Sequence, residues 1–210
     1  MPDFVAQTRR QRPLLAYAAG VAVFVLNDLA FLLLDGTYQL YLADYGFRAV
    51  LLALMLPILR DVLPGPPRRG SPLVMMALFV GLVGFSMACE PISVLLGSGW
   101  RLFNWPTIEN GVLWLLDMTL GLALVSVSEE FVARRLALAV LPGAIWKRVV
   151  MSSLLFGLGH WGMGYGHIVE TTTIGLAFGA AYAWSGSLRL VMIAHFAVDF
   201  LVFGLDMSNL

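Results

Sequence analysis

Residues 108–141 read IENGVLWLLDMTLGLALVSVSEEFVARRLALAVL. An apolar run to 128 is followed by Glu129, Glu130, Arg134 and Arg135, and then by the apolar stretch Leu136–Leu141. A hydrocarbon core of about 30 Å takes roughly 20 apolar residues of helix. The run 108–128 therefore crosses a bilayer by itself, and its extension to 141 predicts either a tilt or a break near Ser126–Ser128. A charge at the bilayer centre costs at least about 2.5 kcal/mol. Four charges at this point demand partners, a wet cavity or a function.

Outward from this stretch, six more apolar segments lie near 14–34, 38–59, 72–96, 146–163, 168–185 and 188–205. Turn residues separate them: Asp35-Gly36, Pro64-Gly65-Pro66-Pro67, Gly97-Ser98-Gly99, Pro142-Gly143 and Ser185-Gly186-Ser187. Hydrophobic residues make up 60% of the 210 and charged residues 12%, against about 25% charge in a soluble domain. Such a chain cannot cover an aqueous surface, which excludes a soluble enzyme, a disordered chain and a nucleic-acid binder. Thirteen basic residues balance thirteen acidic ones, so no global field recruits a polyanion, and the single cysteine, Cys89, precludes an internal disulfide. The alternation of an outer-membrane barrel is missing. The expected fold is all-α, a polytopic transmembrane helical bundle of about seven spans.

If all seven cross, Arg9, Arg10, Arg12, Arg60, Arg68, Arg69, Arg134, Arg135, Lys147, Arg148 and Arg189 share one side, and only Arg48 and Arg101 fall on the other. Eleven against two places the N-terminus and the Pro142 turn in the cytoplasm and the C-terminus outside. The first apolar stretch, about 20 residues long without a clear cleavage site, reads as a retained anchor.

Glu130 and Arg134 are four apart and face one another in the favourable acid-before-base order. Glu129 sits about 100° round the helix, so one glutamate reads as scaffold and the other as free to work. His160 ends Phe156-Gly157-Leu158-Gly159-His160, and His195 and Asp199 share a helix face. Glu129 lies thirteen residues before Pro142 and His160 fourteen after Trp146. At about 1.5 Å per residue both reach about 20 Å from the turn, which predicts carboxylate and imidazole at matching depth. His195, eight residues past Ser187, falls nearer the cytoplasm unless its helix begins deeper or tilts. Asn27, Asp28, Asp44, Glu90 and Asp117 read as packing or interfacial groups. His167 and Glu170, at a span boundary, are expected to be solvated. Gly175 and Gly179 form a small-residue face for close helix packing.

Together the three polar segments resemble the CAAX protease and bacteriocin-processing family, membrane proteases related to type II CAAX prenyl endopeptidases. The family motifs are a Glu-Glu pair with an arginine four residues after the second glutamate, then Phe-x-x-x-His, then His-x-x-x-Asn or Asp. Here they read Glu129-Glu130-x-x-x-Arg134, Phe156-x-x-x-His160 and His195-x-x-x-Asp199, in the same order. The resemblance covers roughly 108–205. It divides the chain into three N-terminal spans (1–107) and a catalytic helical core (108–210). Two departures are Ala133-Arg134-Arg135, where family members commonly have Phe-Arg-Gly, and Asp199 in place of an amide.

The resemblance implies peptide hydrolysis inside the membrane without a cofactor. Glu129 would act as general base on a water, His160 would hold that water and protonate the leaving amine, and His195 would stabilise the oxyanion. Chemistry of this kind needs a base and a donor aimed at the developing charge. Asp199, which when ionised only accepts hydrogen bonds, suits orienting the His195 ring, and Glu130 with Arg134 would lock the helix. The expected partners are a membrane-anchored or lipid-modified protein tail and membrane lipids, with no nucleic acid. A bacterial inner membrane is the expected location. Two alternatives stay open: a zinc-dependent version built on two histidines and a glutamate, and a non-catalytic or proton-coupled transport or scaffold protein.

Overall fold

The computed structural model describes residues 2–34, 36–55, 65–97, 99–103 and 108–204, of which 2–11 and 37 are described by backbone alone. Asp35, Arg60, Pro64, Ser98, the side chains of Arg9 and Arg10, and the ends of the segments 38–59 and 188–205 lie outside the described residues. Among the described residues all regular structure is helical: α1 (Pro2–Leu33), α2 (Thr37–Met55), α3 (Pro72–Cys89), α4 (Pro91–Leu96), α5 (Gly111–Val140), α6 (Ile145–Leu158), α7 (Tyr165–Ser185) and α8 (Leu188–Asp199). Three stretches are long and apolar enough to cross a membrane, Arg12–Leu33, Pro72–Leu96 and Gly111–Val140. Large side chains such as Leu73 and Leu95 stand almost fully exposed, as a lipid-facing surface requires. The protein is an integral membrane helical bundle.

Neither chain break nor kink interrupts α5 at Ser126–Ser128. The hydroxyls of Ser126 and Ser128 bond back to the carbonyls of Ala123 and Val125 and stay within the helix. Two π-helical turns, Asp117–Gly121 and Phe131–Leu136, interrupt the α geometry instead. A π turn carries an extra residue and rotates the faces beyond it, and such turns concentrate at functional sites. The second opens directly after Glu130 and buries Phe131, Val132, Ala133, Arg134 and Leu136 together.

The α5–α6 hairpin is closed by Arg148, whose Nε donates to the Gly143 carbonyl and whose Nη1 donates to that of Leu138, both at 2.8 Å. Leu138 is among the last carbonyls of α5, which have no partner within the helix. One turn along α6, the Ser152 hydroxyl donates to the Ala133 carbonyl at 2.5 Å and sets the register of the pair. Helix α7 packs on α6 through glycine. A Cβ on Gly157 would lie 1.9 Å from Thr172 Oγ1 and 2.7 Å from the Ile168 carbonyl oxygen, and one on Gly179 would lie 2.9 Å from Val149 Cγ1. Gly175 meets Ser153 and Phe156 in the same way.

Helix α8 runs through the centre, with Val191 and Ala194 fully buried beside Val132, Leu136 and Ala137 of α5. It begins deep. Ser185 is wholly buried, the Arg69 amide donates to its carbonyl, and Gly186 (φ +65°) lies so close to the Pro66 and Pro67 carbonyls that a side chain has no room.

This packing makes a prediction. Gly157→Ala must push Thr172 and the Ile168 backbone away and is expected to cost about 1–3 kcal/mol. Gly81→Ala, whose new methyl meets nothing within 4 Å, is expected to be neutral or mildly stabilising. Thermal unfolding in detergent distinguishes them, and equal melting temperatures would contradict the close α6–α7 contact.

Candidate active site

Glu130 and Arg134 form the expected pair: Arg134 Nε lies 2.9 Å from Glu130 Oε2, and neither side chain is more than 1% exposed. The guanidinium also covers the face of Phe156, 5.1 Å from its centroid. Glu130 has a second partner that spacing alone did not reveal, because its Oε1 lies 3.1 Å from His195 Nδ1. A carboxylate accepts only, so Nδ1 carries the proton and Glu130 sets the orientation of the ring.

The other ring nitrogen, Nε2, faces Asp199 Oδ2 at 3.4 Å and Glu129 Oε2 at 3.8 Å. His195 therefore reaches the glutamate pair directly. Asp199 touches the ring from one turn away, while Glu130 holds the opposite edge.

Glu129 is not free. Its Oε1 accepts from Arg48 Nη1 at 2.9 Å, so the glutamate expected to lie free of Arg134 has an arginine of its own from another helix. Arg48 belongs to α2 and is buried in the bundle, so it is not a marker of the outer side. Arg134, fully buried, drops out of the cytoplasmic set for the same reason. Arg48 Nε donates to Asp44 Oδ1 at 2.8 Å and its Nη1 donates to Ser128 Oγ at 3.1 Å. The same Asp44 oxygen accepts from Asn27 Nδ2 at 2.7 Å. Asn27 and Asp44 are thus joined to the glutamate pair and are not simple packing groups. Asp44 and Arg48 stand four apart, acid before base, inside an apolar span, which is the same signal that marks Glu130 and Arg134.

His160 sits in the turn after α6, its Nδ1 2.9 Å from the Phe156 carbonyl oxygen and its ring 4.8 Å from the Phe156 ring. Ala133 opposite Ser152 puts Phe156 opposite Glu129, so His160 starts about one helical turn beyond the depth expected from the hairpin. Its ring folds back toward Phe156, within electrostatic range of both Glu129 and His195. Phe156 is the common wall, its ring 6.4 Å from that of His195.

Three further residues expected to be bland adjoin this histidine. His167 Nδ1 lies 3.3 Å from Glu170 Oε2, Glu170 is buried, and the His167 ring stands 5.7 Å from that of His160. The expected solvation of Glu170 is corrected, because its side chain is only 8% exposed, whereas His167 keeps a quarter of its side chain exposed. Asp28 accepts from the Gly162 amide at 3.3 Å and anchors the 160–163 turn to α1. Asp117, by contrast, accepts from Tyr45 at 2.6 Å and serves the α2–α5 contact. Among the described residues no group of three His, Cys, Asp or Glu side chains is arranged to hold a metal ion.

The fold and this carboxylate–imidazole cluster define a class, a polytopic membrane protein with titratable groups gathered at the heart of its bundle. Residues 111–201 match the family model described as type II CAAX prenyl endopeptidase Rce1-like. That stretch therefore resembles the Rce1-like membrane peptidases, in agreement with the three motifs. No curated protein and no solved structure matches the chain. The matched stretch holds Glu129, Glu130, Arg134, His160, His195 and Asp199, and it leaves Asn27, Asp28, Asp44 and Arg48 outside.

Arg134→Met leaves the Glu130 carboxylate buried without its counter-charge and is expected to destabilise the protein by about 3–5 kcal/mol. Adding Glu130→Leu to that variant is expected to recover most of the loss. Chemical unfolding of the single and double variants checks this, and an unchanged single variant would show that the pair bears no structural load.

Proposed function

We propose that the chain is an intramembrane endopeptidase that hydrolyses a peptide bond in a membrane-anchored or lipid-modified protein tail, using water activated by Glu129. The observation that carries this reading is the approach of Glu129 Oε2, at 3.8 Å, and Asp199 Oδ2, at 3.4 Å, to His195 Nε2, inside the Rce1-like stretch.

Glu129 takes a proton from water as the oxygen attacks the scissile carbonyl carbon. Both nitrogens of His195 face carboxylates, so a ring that satisfies them all carries two N–H donors. Glu130 holds one of them, and the other, on Nε2, is available to the oxyanion that forms. His160 donates Nδ1–H to the Phe156 carbonyl, which leaves Nε2 with a lone pair on the site side. That nitrogen holds the water and then relays the proton from Glu129 to the departing amine. When the C–N bond breaks, the oxyanion collapses to the new carboxyl group. Asp199 and Glu130 are positioning residues for the His195 ring, and Arg134 acts through Glu130. No cofactor enters.

With Arg48 and Arg134 set aside as buried, the remaining basic residues of the sequence divide ten (eleven less Arg134) to one (Arg101). This supports a cytoplasmic N-terminus, in a bacterial inner membrane, by the positive-inside rule.

The test is co-expression with a panel of tagged tail-anchored and lipid-modified candidates. Wild type is expected to cleave at least one, with activity surviving strong chelation. Glu129→Ala and His160→Ala are expected to insert normally and to lose at least about 10²-fold in rate, the usual scale of a lost acid–base group. Full turnover by both variants would end the glutamate mechanism. Solute flux in liposomes with no cleavage of any tail would favour transport.

A further inference from the structure

We propose that Arg48 is a positioning residue for Glu129. It binds Oε1 and so leaves Oε2 as the one oxygen that takes the proton, which makes the Asn27–Asp44–Arg48 arm of α1 and α2 part of the active site. This inference rests on the endopeptidase reading.

A carboxylate has two equivalent oxygens and a broad, nearly two-fold rotor, so by itself it does not decide which oxygen faces the reaction. Here the choice is made. Oε1 is bound by Arg48 Nη1 at 2.9 Å, while Oε2 points to His195 Nε2 at 3.8 Å. The arginine is itself fixed at several points. Its Nε is on Asp44 at 2.8 Å, its Nη1 also reaches Ser128 Oγ at 3.1 Å, and its guanidinium lies 5.7 Å from the Phe24 ring centroid. Asp44 is tied in turn to Asn27 at 2.7 Å. Asn27, Asp44 and Arg48 are all at most 5% exposed. A planar fork held at several atoms delivers one N–H to a defined point, which the rotatable ammonium of lysine does not.

Burial alone does not explain this arrangement. Neutralising Arg48 takes one carboxylate, and Asp44 on the same helix supplies it. The reach across the bundle to a second carboxylate offsets the buried charge of Glu129 and, beyond that, fixes which of its oxygens is bound. The arm lies wholly outside residues 111–201, on helices that the family match does not reach.

The experiment uses the full chain and the tail cleaved best in the panel, with Arg48→Met, Arg48→Lys and Asn27→Ala. Misplacing a reacting group by about 1 Å costs about 10²-fold. Arg48→Met is therefore expected to lower kcat by about that factor with KM within about threefold, because the arm touches no substrate. Arg48→Lys is expected to restore part of kcat, and Asn27→Ala to give a smaller loss of the same kind. Melting temperatures of wild type, Arg48→Met, Glu129→Gln and the double variant are read in parallel. Contact predicts that Glu129→Gln recovers stability lost in Arg48→Met. That cycle stands whether or not any tail is cleaved, so it separates failure of this inference from failure of the endopeptidase reading. If Arg48→Met does not fold, Arg48→Lys and Asn27→Ala carry the same split between kcat and KM. Unchanged kcat, a loss confined to KM, or additive melting temperatures would each overturn the proposal.

Discussion

Two neighbouring carboxylates, Glu129 and Glu130, are buried in the middle of a membrane bundle, 6% and 1% exposed. Each would be costly alone, and side by side they repel. The bundle resolves this by giving each glutamate its own arginine from a different direction: Arg134 from one turn further along the same helix, and Arg48 from α2. A single shared cation would leave the two acids chemically alike. Separate cations make them different. Glu130 is closed off by Arg134 and His195, while Glu129 keeps one oxygen turned toward His195 and Asp199.

The rest of the structure serves that arrangement. The π turn at Phe131–Leu136 lets the glutamates, Arg134 and the apolar residues between them share the interior. Arg148 and Ser152 fix the hairpin register that brings Phe156 level with Glu129. Glycines on α6 and α7 draw those helices together, and α8, packed centrally through Val191 and Ala194, brings His195 to the pair. Phe156 stands between the guanidinium of Arg134 and the two histidine rings. It gives the polar groups a wall that keeps them in place and apart.

Much of this was legible in the residues. Composition and the long apolar segments identified a helical membrane bundle, and i,i+4 spacing identified Glu130–Arg134 and His195–Asp199. Local periodicity does not specify which helices meet, so the partner of Glu129 stayed hidden even though Asp44 and Arg48 carry the same acid-before-base spacing. Counting Arg48 and Arg134 as loop charges was the related error: a charge number along a span does not tell a snorkelling arginine from one buried against a carboxylate. The depth of His160 was off by about a turn because the π turn and the end of α6 at Leu158 both depart from uniform rise. The burial of Glu170 comes from packing between helices, which the local sequence does not announce.

The division of labour between the two acids is tested most directly by the fate of solvent oxygen. When a cleavable tail is turned over many times in ¹⁸O-labelled water, a glutamate that only removes a proton leaves the label in the new carboxyl terminus of the product. The Glu129 peptide, recovered from the protein and weighed by mass spectrometry, is then expected to remain unlabelled. Label accumulating in Glu129 would mean that its carboxylate attacks the substrate itself, and the picture of a held base beside an activated water would be wrong.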